Sequence, residues 1–498
     1  MVLEEAGGMR DTLRFVLGDE LVEIASCDPT LTVLDWLRLD RRMTGSKEGC
    51  AEGDCGACTV VIGRLDHGAL RYEAINACIR FLPTLDGCHL LTVEHLKGAD
   101  GALHPVQQAM VDCHGSQCGF CTPGIVMSLF ALWLNEDAPS VSRIEDALAG
   151  NLCRCTGYEP IVAAAQQMYR LGSRDGFATR RISIQAQLQA LTDAETLSLG
   201  GPEGKFIAPA SIETLADLVI AHPRATLVAG ATDVGLWVTK GMRRLDPVIF
   251  LGRVQALRLT EDRGDHLRIG AMATHADVRP ALAALSPQLD ELMRRFGGEQ
   301  VRNAGTIGGN IANGSPIGDL PPVLIALGAK LVLRRGNEER RISLESFFID
   351  YRKQDRREGE FVDAVIVPKP EPDALLHVSK ISKRFDEDIS AVCGAFLLRL
   401  GEDGRIAEAR VAYGGMAGIP KRAAVAEAAL IGRMWDEAAV DAAIAALPAD
   451  FTPLSDMRAS AGYRLSVAGN LLRRFLIETT QPCVETRIAG LLAEASHG

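Results

Sequence analysis

Eight of the thirteen cysteines form two groups within the first 155 residues, and their spacing constrains the chain more than any other feature. The first group is Cys50, Cys55, Cys58 and Cys78, a C-x4-C-x2-C motif with a fourth cysteine twenty residues after the third. A two-iron cluster needs four thiolate ligands, and this is the plant-type spacing for a [2Fe–2S] cluster. The intervening glycines suit a loop that turns tightly and directs backbone N–H groups at sulfur. We therefore predict a [2Fe–2S] cluster at these residues.

The second group consists of Cys118, Cys121, Cys153 and Cys155, in the spacing C-x2-C followed by C-x-C. Four thiolates from two short pairs could bind zinc or an iron–sulfur cluster, and the spacing alone favours neither. C-x-C is uncommon at structural zinc sites, which usually repeat C-x2-C. Because a plant-type site lies in the same part of the chain, we predict a second [2Fe–2S] cluster. Two such clusters in sequence would carry single electrons.

The composition argues against several classes of function. At 498 residues the chain is too long for one hydrophobic core, so three or four domains are expected. Its net charge of −11 argues against a nucleic-acid or anionic-membrane surface. There is no apolar run long enough for a membrane span and no basic, apolar leader, so neither a membrane helix nor a secretory signal is expected. Thirteen cysteines without a signal suggest metal ligands in a reducing compartment, and hence a cytoplasmic protein.

The hydrophobic pattern predicts an α+β multidomain chain. Alternation at 12–24 around Gly18-Asp19 predicts a hairpin, and with a strand at 59–62 it predicts a β-grasp, ferredoxin-like domain at 9–96. Helical periodicity from 104, with a capping box from Ser142 to Glu145, predicts an all-α iron–sulfur domain at 97–172. We expect a linker at 173–200, an α/β domain at 201–375 and a small α+β C-terminal domain at 376–490.

Two glycine-rich loops lie in the α/β segment. An apolar strand runs into a Gly/Thr/Asp turn at 225–235, and a longer glycine-rich loop occupies 305–320. Backbone N–H groups in such turns form anion cradles suited to a pyrophosphate. Neither loop has the G-x-G-x-x-G spacing, so a Rossmann site is not supported. Two such loops downstream of two cluster sites favour a bound dinucleotide.

Several segments resemble the molybdenum hydroxylase family. Segments 48–60, 117–124 and 151–158, which contain seven of the eight cysteines, resemble its iron–sulfur domains. Segments 306–311 and 315–319 are similar to its FAD-binding domain, and 413–416 and 456–464 look like the small domain that follows. Iron–sulfur and flavin domains are fused and no segment is left for a molybdopterin domain. This arrangement resembles the small subunit of bacterial two-subunit xanthine dehydrogenases.

The resemblance implies an electron-transfer subunit of an NAD-dependent oxidoreductase in purine metabolism, with no catalytic residue of its own. Hypoxanthine or xanthine would be hydroxylated at a molybdenum–pterin cofactor on a large partner subunit, in a heterotetramer of two small and two large chains. Electrons would pass through the second cysteine group, the first group and FAD to NAD. A flavin is needed because clusters carry single electrons whereas NAD accepts a hydride. Gln117 and Cys155 match positions that face the pterin.

The resemblance also implies which residues hold FAD. They are Leu227, Val228, Ala229, Gly230, Ala231, Thr232, Asp233 and Val234 in the first loop, Ala304, Thr306, Ile307, Gly308, Gly309 and Asn310 around the second, and Phe296, Asp319 and Lys380 elsewhere. Plainer alternatives exist for four positions: Phe296 as a core residue, Asp319 as an N-cap, Lys380 as a solvated lysine and Gln117 as a side chain bonded to its own backbone. Segment 384–389 resembles a charged loop beside the flavin, and Phe385 stands where relatives often carry a second basic residue.

Other interpretations stay open at this point. The substrate pocket would lie on the partner, so an aldehyde or another N-heterocycle is an alternative to xanthine, and dioxygen is an alternative acceptor to NAD. A different class is a stand-alone iron–sulfur flavoprotein reductase, or a binding scaffold with vestigial cluster sites. The presence of all eight cysteine ligands argues against vestigial sites.

Overall fold

The computed structural model describes residues 8–98, 100–172 and 175–487, and the chain divides into two compact units. The first unit runs to Ala256 and includes Gly297–Gly305, and the second comprises Leu257–Phe296 and the chain from Thr306 onward. The chain therefore leaves the second unit at Gly297, joins the first, and returns at Thr306. Within the described residues, no helix combines the length and apolar character needed to cross a membrane.

A five-stranded mixed sheet forms the N-terminal part of the first unit. In spatial order its strands are Glu20–Ile24, Leu13–Leu17, His89–Leu91, Thr59–Asp66 and Ala69–Asn76. The predicted hairpin is present, with Gly18 at its turn in the left-handed region at φ +61°. The helix Val33–Asp35 begins where Thr32 Oγ1 accepts the N–H of Asp35, and it continues as the π-helical turn Trp36–Asp40. The sheet with its short helix has the expected β-grasp arrangement.

Four helices follow this sheet: Pro105–Asp112, Thr122–Asn135, Val141–Leu148 and Glu159–Leu171. Helix Thr122–Asn135 is buried from Gly124 to Leu134, because its side chains are apolar on all faces, and it forms the centre of the all-α domain. The capping box predicted at Ser142 is wrong. Ser140 caps the third helix instead, and its Oγ accepts the N–H of Arg143 at 3.2 Å.

The stretch predicted as a linker contains the helix Asp175–Leu191 and the beginning of the strand Thr196–Gly201. Arg180 pairs with Asp19 at 2.9 Å, and Gln185 Nε2 donates to the carbonyl of Gly68 at 2.9 Å. The helix is thereby attached to the ferredoxin-like sheet.

A second sheet completes the first unit and contains the N-terminal strand. In spatial order its strands are Met9–Arg10, Thr196–Gly201, Gly204–Ala208, Val248–Phe250 and Thr226–Val228. The helices Ile212–Ala221 and Val234–Thr239 follow its strands along the chain, and the helix Glu299–Ala304 packs on strand Ala69–Asn76 of the ferredoxin-like sheet. Arg10 and Arg253 each pair with both Asp86 and Asp193, at distances from 2.6 to 3.5 Å. Since Asp86 belongs to the ferredoxin-like domain, this ionic cluster joins that domain to the second sheet.

The second unit contains two large antiparallel sheets and a short two-stranded one, Phe348–Asp350 with Lys353–Gln354. The strands of the five-stranded sheet, in spatial order, are Thr260–Asp262, His266–Gly270, Phe361–Pro368, Lys330–Arg335 and Glu338–Ser343. Those of the four-stranded sheet are Leu375–Ile381, Val392–Leu400, Ile406–Gly414 and Lys421–Arg422. The helices are His275–Ala283, Pro287–Arg294, Ile307–Asn313, Leu320–Ala326, Leu344–Phe347, Ala424–Leu430, Glu437–Asp450 and Ala461–Thr480. Sheets and helices alternate through both units, which confirms the α+β multidomain prediction.

Candidate cofactor sites

The first cysteine set (Cys50, Cys55, Cys58 and Cys78) converges in the loop that precedes strand Thr59–Asp66. The Sγ of Cys50 accepts the backbone N–H groups of Glu52, Asp54 and Cys55, each at 3.4 Å. Hydrogen bonds from the thiols of Cys55 and Cys78 lower the pKa of Cys50. A loop that aims N–H groups at sulfur, with thiols in mutual contact, fits a thiolate-bound cluster.

The other members of this set lie deeper in the fold. Cys58 and Cys78 are buried, and the thiol of Cys78 is the largest contributor to the lowered pKa of Cys58. Asn76 stands beside them: its Oδ1 lies 3.8 Å from Cys58 Sγ, and its Nδ2 donates to the carbonyl of Gly53 at 2.8 Å. Gly53 has φ +79°, so the loop takes a conformation that glycine adopts readily.

The second cysteine set (Cys118, Cys121, Cys153 and Cys155) lies at helix ends in the all-α domain. Cys118 and Cys155 are exposed and their Sγ atoms are 3.4 Å apart, whereas Cys121 and Cys153 are buried. Burial raises the pKa of Cys121 to about 12. Burial also opposes ionisation of Cys153, but hydrogen bonds from Thr156, Cys121 and Cys155 together outweigh it and lower the pKa of Cys153 to about 7. Among the described residues, no three His, Cys, Asp or Glu side chains are arranged to ligate a single metal ion.

Two hydrogen bonds join the loop that carries the first cysteine set to the segment that leads to Cys153. The N–H of Leu152 donates to the carbonyl of Cys55 at 3.0 Å, and Asn151 Nδ2 donates to the carbonyl of Gly56 at 3.2 Å. Gly56 allows this close approach, since a Cβ there would lie 2.1 Å from the carbonyl of Gly150. The loop between Cys55 and Cys58 therefore packs directly on the segment that leads to Cys153.

The first glycine-rich loop follows strand Thr226–Val228 and ends in helix Val234–Thr239. Ala231 has φ +62°, a left-handed conformation rare for a residue with a side chain. A Cβ on Gly230 would lie 1.8 Å from the carbonyl of Ala304, and one on Gly235 would lie 2.7 Å from the carbonyl of Ile79. Ile79 directly follows Cys78, so this loop packs beside the first cysteine set.

A small cavity in the first unit lies between these segments. Its walls include Asn76, Ile79 and Arg80 beside the first cysteine set, Gly230 and Thr232 of the glycine-rich loop, and Gln300. Segments that the sequence analysis connects with a cluster and with FAD thus meet around one space within the first unit.

The second glycine-rich segment opens the helix Ile307–Asn313 in the second unit. Thr306 caps this helix, and its Oγ1 accepts the N–H of Gly309 at 3.0 Å. Gly308 is buried against Ala271, whose Cα would lie 2.7 Å from an added Cβ, whereas Gly309 is partly exposed. The Oδ1 of Asn310 is buried and has no hydrogen-bond partner among the described residues. An unpartnered buried acceptor beside a helix start fits a donor group of a bound cofactor.

Asp319 and Lys380 form a buried pair in the second unit. Lys380 Nζ donates to Asp319 Oδ2 at 2.7 Å and to the carbonyl of Arg295 at 3.1 Å, and Ser390 Oγ donates to Asp319 Oδ1. Lys380 is therefore not a solvated lysine, and the alternative interpretation of that residue is wrong. Asp319 occupies the N-cap position of helix Leu320–Ala326, but its side chain makes no capping hydrogen bond.

Three other residues have environments that bear on their predicted roles. Phe296 is partly exposed and its ring centroid lies 4.2 Å from that of His275, so it is not a fully buried core residue. The guanidinium of Arg295 lies 4.6 Å from the ring centroid of Phe385, so a positive charge lies beside the position where the family resemblance implies a second basic residue. Gln117 is exposed and directly precedes the exposed Cys118.

The helix Glu299–Ala304 was not predicted from the sequence. Glu299 pairs with Arg143 of the all-α domain at 2.7 Å, and Asn303 Nδ2 donates to the carbonyl of Ala74 in the ferredoxin-like sheet at 3.0 Å. Gln300, between them, contacts both domains. The charged and amide residues of this helix, just before the second glycine-rich loop, were the only sequence signal for these contacts. Their partners are more than 140 residues away in the chain, so the sequence did not identify them.

Family comparisons match three successive parts of the chain. A [2Fe-2S] binding domain matches residues 92–166, and the FAD binding domain in molybdopterin dehydrogenase matches 202–370. The CO dehydrogenase flavoprotein C-terminal domain matches 377–479. The second cysteine set lies within the first match, and both glycine-rich loops lie within the second.

The curated relatives and solved structures agree with these matches. The xanthine dehydrogenase of Emericella nidulans is 32% identical over 93% of this chain and 38% of its own length, and that of Drosophila subobscura is 33% identical over 81% and 34%. The chain thus spans little more than a third of these relatives. The cyanide-inactivated Cu,Mo-CO dehydrogenase is 27% identical with a TM-score of 0.51, covering 54% of this chain and 94% of that chain. Quinoline 2-oxidoreductase from Pseudomonas putida 86 is 25% identical with a TM-score of 0.50, covering 56% and 97%.

Proposed function

We propose that this chain, which belongs to the molybdenum hydroxylase family and carries iron–sulfur and FAD-binding domains, is the electron-transfer subunit of an NAD-dependent xanthine dehydrogenase. Its partner would be a large subunit that binds the molybdenum–pterin cofactor and hydroxylates hypoxanthine or xanthine. We propose two small and two large chains in the complex. Thirteen free thiols, eight of them assigned as ligands, fit a reducing cytoplasm.

The proposal depends mainly on one observation: within the first unit, the first cysteine set contacts both the segment of the second set and the first glycine-rich loop. The hydrogen bond from Leu152 to Cys55 joins the two cysteine sets, and Ile79, next to Cys78, packs against Gly235 of the first glycine-rich loop. Electron transfer requires that carriers be close to one another. Because the first cysteine set lies between the second set and the loop assigned to FAD, these contacts support electron transfer from the second cluster to the first cluster and then to the flavin.

We assign the ligands of the clusters to the two cysteine sets and the FAD contacts to the residues that the family resemblance implies. Gly230 and Ala231 form a turn whose N–H groups suit a pyrophosphate, and Thr306, Gly309 and Asn310 offer a helix start with an unpartnered acceptor. When bound, the clusters would carry single electrons, and FAD would collect two of them for hydride transfer to NAD. In this proposal the cysteines bind the two clusters, and the glycine-rich turns bind FAD.

The face around the second cysteine set is our proposed contact with the molybdenum subunit. Cys118, Cys155 and Gln117 are exposed there, and Phe120 and Leu152 expose 47% and 40% of their surface. Exposed apolar side chains are typical of a surface that binds a partner. Exposed cluster ligands on the same surface would place the second cluster close to the electron donor in that partner. The first cysteine set is more enclosed, which suits an internal carrier.

Isolation of the native complex tests the proposed function. We expect the chain to co-purify with a molybdenum-containing subunit, and the complex to reduce NAD with xanthine. The isolated chain should reduce an artificial acceptor with NADH but should not oxidise xanthine, since it offers no oxo-transfer centre among its assigned sites. Xanthine oxidation by a molybdenum-free preparation of this chain would contradict the assignment.

A second candidate keeps the architecture and changes the substrate of the partner. The similarity to quinoline 2-oxidoreductase, with a TM-score of 0.50 over 97% of that chain, favours another N-heterocycle. Turnover of a panel of xanthine, hypoxanthine, quinoline and aldehydes by the purified complex distinguishes the two. The cofactor assignments on this chain are the same in both cases.

A further inference from the structure

Gln300 lies where the two iron–sulfur domains meet, on the short segment Gly297–Gly305 that enters the first unit. Its side chain is 1% exposed. Its Nε2 lies 2.9 Å from Asn151 Oδ1, 3.0 Å from Ser128 Oγ and 3.2 Å from Thr59 Oγ1. A single buried amide therefore contacts the ferredoxin-like domain and two segments of the all-α domain.

The hydrogen bonds around Gln300 have a fixed direction. Thr59 Oγ1 donates its own proton to the carbonyl of Gly56 at 2.6 Å, and Ser128 Oγ donates to Asn151 Oδ1 at 2.6 Å. Asn151 in turn uses its Nδ2 as a donor to Gly56. All three atoms that face Gln300 Nε2 therefore act as acceptors, and they share the two protons of its amide group.

Each partner of Gln300 is close in sequence to a cysteine of one set. Thr59 directly follows Cys58, and Asn151 stands two residues before Cys153. Ser128 belongs to the helix that begins directly after Cys121. Gln300 also lines the cavity between Ile79 and the first glycine-rich loop, and its Oε1 has no hydrogen-bond partner among the described residues.

We propose that Gln300 is a positioning residue that sets the separation and orientation of the two cysteine sets, and thereby the electronic coupling between the clusters they hold. This inference rests on the proposed function and deepens it. Gln300 touches neither cluster ligands nor substrate in this account; it acts through Thr59 and Asn151. The segment that carries it is flanked by Phe296 and Thr306, both assigned to FAD, so the junction is connected along the chain to the flavin site.

The test uses the full chain purified with its clusters and FAD, and it compares Gln300→Glu with the original protein. Glutamate has nearly the size of glutamine but presents a carboxylate to three acceptors, so the network has to rearrange. Two reduced clusters that lie close together interact magnetically, and the splitting of their EPR signals depends steeply on their separation. We expect this splitting to be reduced or lost in Gln300→Glu, with iron and FAD contents unchanged.

Asn303→Ala is the matched control, because it removes a hydrogen bond of the same helix to Ala74 but touches neither cysteine set. It should leave the splitting unchanged. Gln300→Met, which fills the space without any polar group, should reduce the splitting as Gln300→Glu does. If neither Gln300 variant retains its clusters, Ser128→Ala is the deciding variant. We expect it to reduce the EPR splitting, by less than we expect for the Gln300 variants.

An unchanged splitting in folded Gln300 variants would overturn the inference, and so would an equal change in Asn303→Ala. Either result would leave the proposed function standing, because the original protein would still show two interacting clusters. If the original protein shows only one cluster signal, the proposed function itself is wrong. The two failures are therefore distinguishable in one set of spectra.

Discussion

The backbone N–H of Leu152 donates to the carbonyl of Cys55 at 3.0 Å, which joins the neighbour of Cys153 to a member of the other cysteine set. This bond is short in space although the residues are 97 positions apart in the chain (152 − 55). It requires the glycine at position 56, since a Cβ there would collide with Gly150. The two cysteine sets are thus parts of one packed structure.

Replacement of Cys118 by serine should remove the second cluster and leave the first. We expect iron to fall from four to two atoms per chain, because each [2Fe–2S] cluster needs all four thiolates. Electron flow from the partner's substrate should stop, while NADH-dependent dye reduction at the flavin continues. Metal analysis and EPR check the first statement, and the two activities check the second.

Cys113→Ser is the matched control for this variant. Cys113 lies five positions earlier in the chain, its thiol donates to Gln167 Oε1, and it is not assigned to either set. Its replacement should leave the iron content unchanged. Loss of NADH-dependent dye reduction in Cys118→Ser, with FAD still bound, would show that the proposed order of the carriers is wrong.

Gly309→Val should release FAD from a folded protein. Gly309 is the partly exposed residue of the Thr306 turn, so a side chain there would occupy the space that we assign to a phosphate group of FAD. Gly462→Val is the control, since an added Cβ at Gly462 meets nothing within 4 Å. Absorbance of bound flavin after gel filtration is the measurement. Full flavin occupancy in folded Gly309→Val would count against the placement of FAD at this turn.

Acid should destabilise the first unit through two buried histidines. Burial lowers the pKa of His89 and of His104 to about 4, whereas the unfolded chain binds these protons near pH 6.5. The contribution is fully present above about pH 6.5 and is lost as the pH falls towards 4, by up to about 3 kcal/mol for each histidine. Denaturant midpoints between pH 7.5 and 4.5, in steps of about half a unit, measure this loss.

His89→Gln tests the cause of the acid sensitivity. Burial keeps His89 neutral and lowers its pKa, against the opposing effect of the Gly18 carbonyl at Nε2, while Tyr72 OH lies 3.0 Å from Nδ1. Removal of the titrating group should flatten the pH dependence, even though the variant is less stable at neutral pH. His67→Gln is the control, since the side chain of His67 is 84% exposed. An unchanged slope in His89→Gln would mean that other groups cause the acid sensitivity.

Asp193→Asn should loosen the attachment of the second sheet to the ferredoxin-like domain. Asp193 accepts from Arg14 at 2.5 Å and from Arg253 at 2.6 Å, and it also pairs with Arg10. Breaking a largely buried ion pair leaves charges without a partner, and we expect a loss of about 3 kcal/mol in the free energy of unfolding. The exposed pair of Asp19 with Arg180 is the comparison, and Asp19→Asn should cost less than about 1 kcal/mol. Equal effects of the two variants would contradict the structural importance of the Asp193 cluster.

The cysteine sites could be predicted from the sequence because thiolate ligands occur in short motifs whose spacing reflects one loop. The same holds for the hairpin at Gly18, where local turn chemistry determines the structure. The position of the helix cap was missed by two residues, since Ser140 and Ser142 have equal propensity and only tertiary packing selects one.

Other features could not be predicted because they depend on distant partners. Lys380 is buried by a pair with Asp319, which lies 61 positions earlier. Gln300 is functional in our account only because Thr59, Ser128 and Asn151 meet around it, and each of these is more than 140 residues away. No local pattern distinguishes such an amide from one on a solvated helix.

The central claim is that this chain holds two [2Fe–2S] clusters and FAD in electronic contact. EPR of the dithionite-reduced, anaerobically purified chain, combined with iron, zinc and flavin analysis, tests it most directly. We predict four iron atoms and one FAD per chain, no stoichiometric zinc, and two distinct cluster signals with magnetic interaction between them. Two iron atoms with one zinc per chain, or a single cluster signal, would contradict the account.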